Sequence, residues 1–386
     1  TVWVKDASRA VGVAQNLISP ELTRDFVEKL KAEYEEVRLN HSSRRSNTQW
    51  LTLEQARANK VKIDWDSYTP PKPTIEGIQV FDDMPLEFLV PYIDWTPFFH
   101  TWELKGSYPK ILKDKDKGEE ATKLLADAKA MLQRIVSERW LKARAVVGLF
   151  PANSIEDDIE VYKNNDRKEV SLTLHNLRQQ TVRADDKPNY CLSDFIAPKD
   201  SHKTDYIGGF VVTTGIGIDE HIARFEADHD DYSSIMLKAL ADRLAEAFAE
   251  HMHDRMRHIN WNIETSAWTP DYAVKAKDFD GEKLIKENYQ GIRPAPGYPA
   301  CPDHTEKPLL WQMLDAENRT GVKLTESNAM WPASSVSGWY FSHPDSRYFT
   351  VGKINRDQVE DYAKRKGMSM VEAERWLSPN LGYEPE

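Results

Sequence analysis

Leu22, Phe26, Leu30 and Tyr34 recur every fourth position, with Glu28, Lys31, Glu35 and Arg38 between them. That spacing predicts an amphipathic helix from the Ser19-Pro20-Glu21 start signal to about Leu39. Ahead of it, Thr1–Lys5 reads as a strand and Ser8–Ile18 as a helix. Further along, a helix is expected over about Glu119–Glu138. A longer one, from about Asp230 to Trp261, carries Leu237, Leu240, Leu244, Phe248 and Met252 on one face, and another amphipathic helix is expected over Arg356–Leu377. Between these lie the strand-like runs Ala145–Phe150, Asp158–Tyr162, Glu169–Leu174 and Tyr206–Thr213. Successive strands without intervening helices favour antiparallel pairing. The predicted fold class is α+β, a twisted, mainly antiparallel sheet flanked by long helices and preceded by a short α/β remnant and a linker.

The polar, basic run His41–Asn47 and the proline-dense Tyr68–Pro73 read as linker of limited flexibility, with a short helix over Thr52–Ala58 between them. The expected division is residues 1–40, a linker at 41–73, and one body at 74–386. The chain has 386 residues, of which 40% are hydrophobic. Its mean hydropathy is −0.64, and no apolar run approaches the ~18 residues of a membrane span. A soluble protein with a sizeable core is therefore expected. Cys191 and Cys301 have no ligand partner nearby in sequence, which excludes a disulfide framework and a Cys-rich zinc site and fits a reducing, cytoplasmic setting. The net charge of −11 falls on the body, since the first 65 residues are slightly basic. Nucleic-acid partners are disfavoured, and proteins or small molecules are expected instead.

Gly215-Ile-Gly217 lacks the third glycine of a dinucleotide loop and reads as a turn. The signatures G-x-x-x-x-G-K-[ST], G-x-S-x-G and H-E-x-x-H are absent. His251, His253 and His258 fall on the long helix without i, i+3 or i, i+4 spacing, so they read as surface residues and no metal site is expected. The richest segment runs from Glu287 to His304. Pro294, Pro296, Pro299 and Pro302 fix φ and delete amide hydrogens, leaving Ala295, Gly297 and Tyr298 among the few donors of a pre-ordered strip unsuited to an inner strand. Gly297 permits close approach, Tyr298 offers a ring, and Arg293 offers a planar fork for a carboxylate. The same residues would also make a rigid surface loop.

The string GIRPAPGYPACPDHTEK, with YIDWTPFF near residue 92 and SVSGWYFSHPDSRY near residue 335, resembles the C-terminal activation module of cobalamin-dependent methionine synthase over about residues 84–386. Residues 1–40 resemble the end of that enzyme's cobalamin-binding domain. The resemblance implies binding of S-adenosylmethionine and, with an electron from flavodoxin or a related flavoprotein, remethylation of oxidised cobalamin. It carries ligand roles onto Asp94, Glu246, Glu287, Arg293, Ala295, Gly297, Tyr298 and Tyr348. Asp94 would also serve as a turn cap, Glu246 and Glu287 as solvated carboxylates, and Tyr348 as a packed ring. No Asp-x-His-x-x-Gly string supplies a cobalt-ligating histidine, and no Cys cluster supplies a zinc site. The chain by itself is therefore not expected to complete homocysteine methylation, and no general acid or base is sought in it. The alternative is a docking module for the flavoprotein and the cobalamin domain, without a ligand site of its own.

Overall fold

The computed structural model describes residues 2, 7–46, 49–183, 187–277, 279 and 281–385. It separates into two compact units, residues 1–51 and 52–386. In the first, helix α1 (Ala7–Ile18) is followed by α2 (Thr23–Ser46). The strand expected over Thr1–Lys5 lies, apart from Val2, outside the described residues. α2 continues seven residues past Leu39, through most of the run read as linker. That run holds no Gly or Pro, and nothing in its backbone preferences ends a helix.

The second unit opens with α3 (Leu53–Ala58), closed by a capping box between Thr52 and Gln55. Residues 52–73 were expected to be linker, but they pack as part of this unit. Leu53 and Ala56 are buried. Arg57 pairs with Asp157 and Asp361, each at 2.8 Å, and Trp65 and Tyr68 meet the His343 ring edge-on. Charged and aromatic anchors, rather than an apolar stripe, hold this segment down, so hydrophobic periodicity does not reveal it.

The chain then runs through β1 (Gly77–Met84), α4 (Thr96–Thr101), α5 (Gly118–Ser137), β2 (Lys142–Ile155), β3 (Asp158–Tyr162), β4 (Val170–His175) and β5 (Asp205–Ile216). After these come α6 (Ile218–Ala227), α7 (Asp231–Arg255), α8 (Tyr272–Lys275), α9 (Gly281–Ile285), α10 (Lys307–Leu314) and α11 (Ala316–Thr320). A small hairpin, β6 (Lys323–Leu324) and β7 (Met330–Trp331), leads to β8 (Ser335–Tyr340), α12 (Arg356–Lys366) and α13 (Met370–Trp376). The main sheet has the order β4-β3-β2-β5-β8, with β1 sharing one edge of β2 with β3. Every ladder is antiparallel.

Both faces of the sheet are covered, which is why β2 and β5 read as nearly continuous apolar runs rather than alternating ones. Val147, Leu149, Phe210, Val212 and Tyr340 face α5 and α7. Val146, Ile207, Val211 and Trp339 face the side of α10. The helix expected over Arg356–Leu377 is two helices, because Gly367 at φ 70° caps α12 in the left-handed conformation and Ser369 caps α13. Their apolar sides close a third small core around Tyr362 and Leu377. No helix among the described residues is long and apolar enough to cross a membrane.

Candidate functional site

The proline strip lies along the free edge of β8. Ile292 and Phe341 exchange backbone hydrogen bonds at 3.1 and 3.0 Å, and the Trp339 amide donates to the Pro294 carbonyl at 2.8 Å. Pro294 has no amide to offer, so the strip pairs through its carbonyl and ends the sheet there. On its outer side the Arg293 amide donates to the Tyr348 hydroxyl at 3.0 Å, and the Val351 amide donates to the Pro299 carbonyl at 2.8 Å. The strip is thereby held between β8 and the 348–351 segment.

The amides expected to face a ligand divide. Those of Gly297 and Tyr298 are taken internally, by the Cys301 carbonyl at 2.7 Å and the Ala295 carbonyl at 3.1 Å, and close a tight turn. The Ala295 amide alone has no protein acceptor among the described residues. Gly297 has φ 92°, and a Cβ there would sit 2.3 Å from the His304 ring. The close approach it permits is therefore that of His304. Gly297 shapes the turn and does not line the cleft.

Beside the strip, the C-terminal half of α7 and the turn after α9 form the walls of two adjoining hollows of about 420 and 350 Å3. Both are lined by Glu246, Glu287 and Arg293. The larger adds Ala295, Tyr298, Tyr348 and Ser337, and the smaller adds Asp94, Arg243 and Glu250. Seven of the eight predicted residues thus meet on one cleft. Tyr298, 60% exposed, presents its ring there. Asp94 also caps the turn, accepting from the Thr96 amide at 2.8 Å through one oxygen. A larger hollow of about 840 Å3 between residues 60–65 and 193–202 contains none of the predicted residues.

Arg293 is less free than its sequence suggests. Its guanidinium meets Glu250 at 2.5 Å, the Tyr289 hydroxyl at 2.5 Å and His253 Nδ1 at 3.3 Å. Those contacts leave part of the five-donor fork for a ligand. Burial opposes its charge, yet Glu250 and the neighbouring phenols hold the guanidinium protonated and push its pKa up. Burial pushes the carboxyls of Glu246, Glu250 and Glu287 up, against the pull of Arg243 on Glu246 and of Arg293 on all three. Four acids face two arginines here, so a cation entering the cleft would relieve the strain of crowded, desolvated carboxylates. Ser337 Oγ is buried at the floor without a partner among the described residues, and so is Glu250 Oε1.

Sequence reasoning missed Glu250, Tyr289, His253 and Ser337. Glu250 was accessible in principle, one helical turn after Glu246 on α7. His253 stacks on Tyr340 at 5.2 Å, and burial holds its pKa well below the ordinary value. The three histidines read as surface residues are all buried, because α7 is covered on more than its apolar stripe. Asp254, His258 and Glu264 bring ligand-type atoms within 4.8 Å of one another. Arg257 already bridges the acids at 3.0 and 2.9 Å, and Tyr92 and Trp268 donate to Asp254, so the place of a cation is filled.

Residues 85–367 match the family described as the activation domain of vitamin B12-dependent methionine synthase. The chain belongs to that family. The activation domain also matches a crystal structure of the MetH reactivation domain bound to AdoHcy, at 56% identity and a TM-score of 0.81, over 87% of this chain and 100% of that one. The parent enzyme is a methyltransferase, and the fold is the mixed, mainly antiparallel one described above.

Proposed function

We propose that the activation domain binds S-adenosylmethionine in the cleft of Asp94, Glu246, Glu287, Arg293, Ala295, Tyr298 and Tyr348, with Gly297 setting the turn that positions the strip. The observation that carries this reading is the pairing of an acid surplus with the pre-oriented Arg293 guanidinium and the unpaired Ala295 amide and Ser337 hydroxyl. The free edge of Arg293 suits the ligand carboxylate. Glu246, Glu287 and the second oxygen of Asp94 suit its ammonium, and the Ala295 amide and Ser337 hydroxyl suit the nucleoside, with the Tyr298 ring as a face. Each charge-assisted bond contributes roughly 1.5–3 kcal/mol when partly buried.

The function of the bound molecule is reductive reactivation of the cobalamin enzyme. When held by a neighbouring domain, reduced cobalamin supplies the centre that accepts the methyl group. This chain contains no Asp-x-His-x-x-Gly string to ligate it. The residues of the cleft hold and orient the donor, and near-attack positioning lowers the barrier by several kcal/mol. Holding the ammonium rather than the sulfonium avoids stabilising a charge that disappears during transfer. We assign residues 1–40 to the end of the cobalamin-binding domain and the electron to flavodoxin or a related flavoprotein. The buried, unpaired Cys191 and Cys301 fit a reducing cytoplasm.

Calorimetry with S-adenosylmethionine and S-adenosylhomocysteine tests the reading. Saturable binding is expected, and Arg293→Ala should lose it while keeping its circular dichroism. A wild-type chain that ignores both at millimolar ligand yet binds flavodoxin would make this a docking module instead.

A further inference from the structure

Around α7 from Glu250, a second cavity of about 310 Å3 opens between that helix, the end of β1 and the 268–270 segment. Its floor is built of polar groups that the protein leaves unsatisfied. His251 is 1% exposed, and neither of its ring nitrogens has a hydrogen-bond partner among the described residues. Arg255, one turn on, makes no ion pair among the described residues, and its Nε is buried and unpaired. Its guanidinium is sandwiched instead, 5.2 Å from the Phe81 ring and 5.6 Å from the Trp268 ring. Burial drives the His251 imidazole down to about 4 and lowers Arg255 as well. A buried imidazole and a guanidinium Nε without partners cost free energy that a fully satisfied core would not carry.

The remaining lining defines what would complete the site. Asp82 and Asp83 stand at the exposed rim, and Met84, Phe88 and Trp268 form apolar wall. The unpaired guanidinium calls for a carboxylate. The rim acids call for an ammonium, and a neutral imidazole offers one donor and one acceptor between them. The volume corresponds to about ten waters of liquid, room for a single small zwitterion. Tyr92 separates this cavity from the first cleft: it lines the hollow beside Asp94 and packs edge-on against His251 at 5.1 Å.

We propose that this cavity is a second ligand site, binding a free α-amino acid with an apolar side chain, its carboxylate on Arg255, its ammonium toward Asp82 and Asp83, and its side chain against Phe88 and Trp268.

L-Methionine and L-phenylalanine are titrated calorimetrically into the full chain already saturated with S-adenosylhomocysteine, so that the first cleft is closed to them. Saturable binding at one equivalent is expected. It should weaken roughly tenfold or more in Arg255→Met and in the Asp82→Asn, Asp83→Asn double variant. N-acetylmethionine and methionine amide, each lacking one charge, should not compete. The rim variants change only exposed side chains and keep the test decisive if Arg255→Met does not fold. Absence of binding at tens of millimolar amino acid overturns the proposal. So does binding that survives both variants but is abolished by Arg293→Ala, which would place the amino acid in the first cleft. If S-adenosylhomocysteine itself does not bind, the dependence on Arg255 and the rim acids still decides this site independently.

Discussion

Glu250, Tyr289 and His253 take three contacts of the Arg293 guanidinium. The fork is therefore aimed before any ligand arrives, and little side-chain entropy remains to be lost on binding. Arg293 and Tyr298 stood out from the residues of the proline strip themselves, whereas Asp94, Glu246, Glu287 and Tyr348 came only with the family resemblance, since each also reads as a cap, a solvated carboxylate or a packed ring. Glu250 lay within reach as the residue one turn after Glu246, but that it and His253 hold the Arg293 side chain is not disclosed by spacing along a helix. Gly297 was read correctly as a place of close approach but with the wrong visitor, since the His304 ring occupies that space. Gly297→Ala combines a left-handed backbone with a collision against that ring. It should cost about 1–3 kcal/mol of stability in urea unfolding and weaken S-adenosylhomocysteine binding by displacing the Ala295 amide and the Tyr298 ring.

β2, β3, β4, β5, α5 and α7 lie where their apolar runs placed them, whereas β1 and β8, which complete the main sheet, were not among the expected strands. Other misses occur where one residue or one distant contact decides. Gly367 divides a continuous apolar pattern into α12 and α13 by its conformation alone. Residues 52–73 look like linker because Leu53 and Ala56 provide only a short apolar face, while the Leu53 amide bonds to Asp357, Arg57 to Asp157, and Asn59 to Asn189 at 2.7, 2.8 and 2.7 Å. Those partners are a hundred or more positions away. A fragment starting at Thr52 should therefore melt like the corresponding unit of the full chain. One starting at Thr74 should lose roughly 2–4 kcal/mol, because the fully buried Asp157 keeps Arg178 and loses Arg57. Differential scanning calorimetry of the two fragments measures this, and equal midpoints would contradict it.

Acidity summed over the chain is a property of composition, but its consequences depend on depth. Asp205 at the start of β5 is buried, accepting from the amides of Ala197 and Tyr206. Burial pushes its carboxyl up to about 7 despite those bonds and Arg167. The folded state thus binds a proton that the unfolded chain, with an ordinary carboxyl near 3.8, releases. The stability that goes with the proton is fully present below about pH 4 and is lost as pH rises through about 7. Urea midpoints should fall across that window by an amount equivalent to about 4 kcal/mol at most, and Asp205→Asn should flatten this part of the profile. A wild-type curve parallel to that of the variant would contradict the assignment. The strip along β8 also matters for how molecules meet one another. A bare strand edge recruits further strands from neighbouring copies, but here the outermost ladder position is a proline-rich segment whose remaining amides are few, with those of Ile292, Arg293, Gly297 and Tyr298 already bonded within the protein. Replacing those prolines would therefore expose a growing end, and the first symptom would be ribbon-like self-association in concentrated protein rather than loss of the nucleoside.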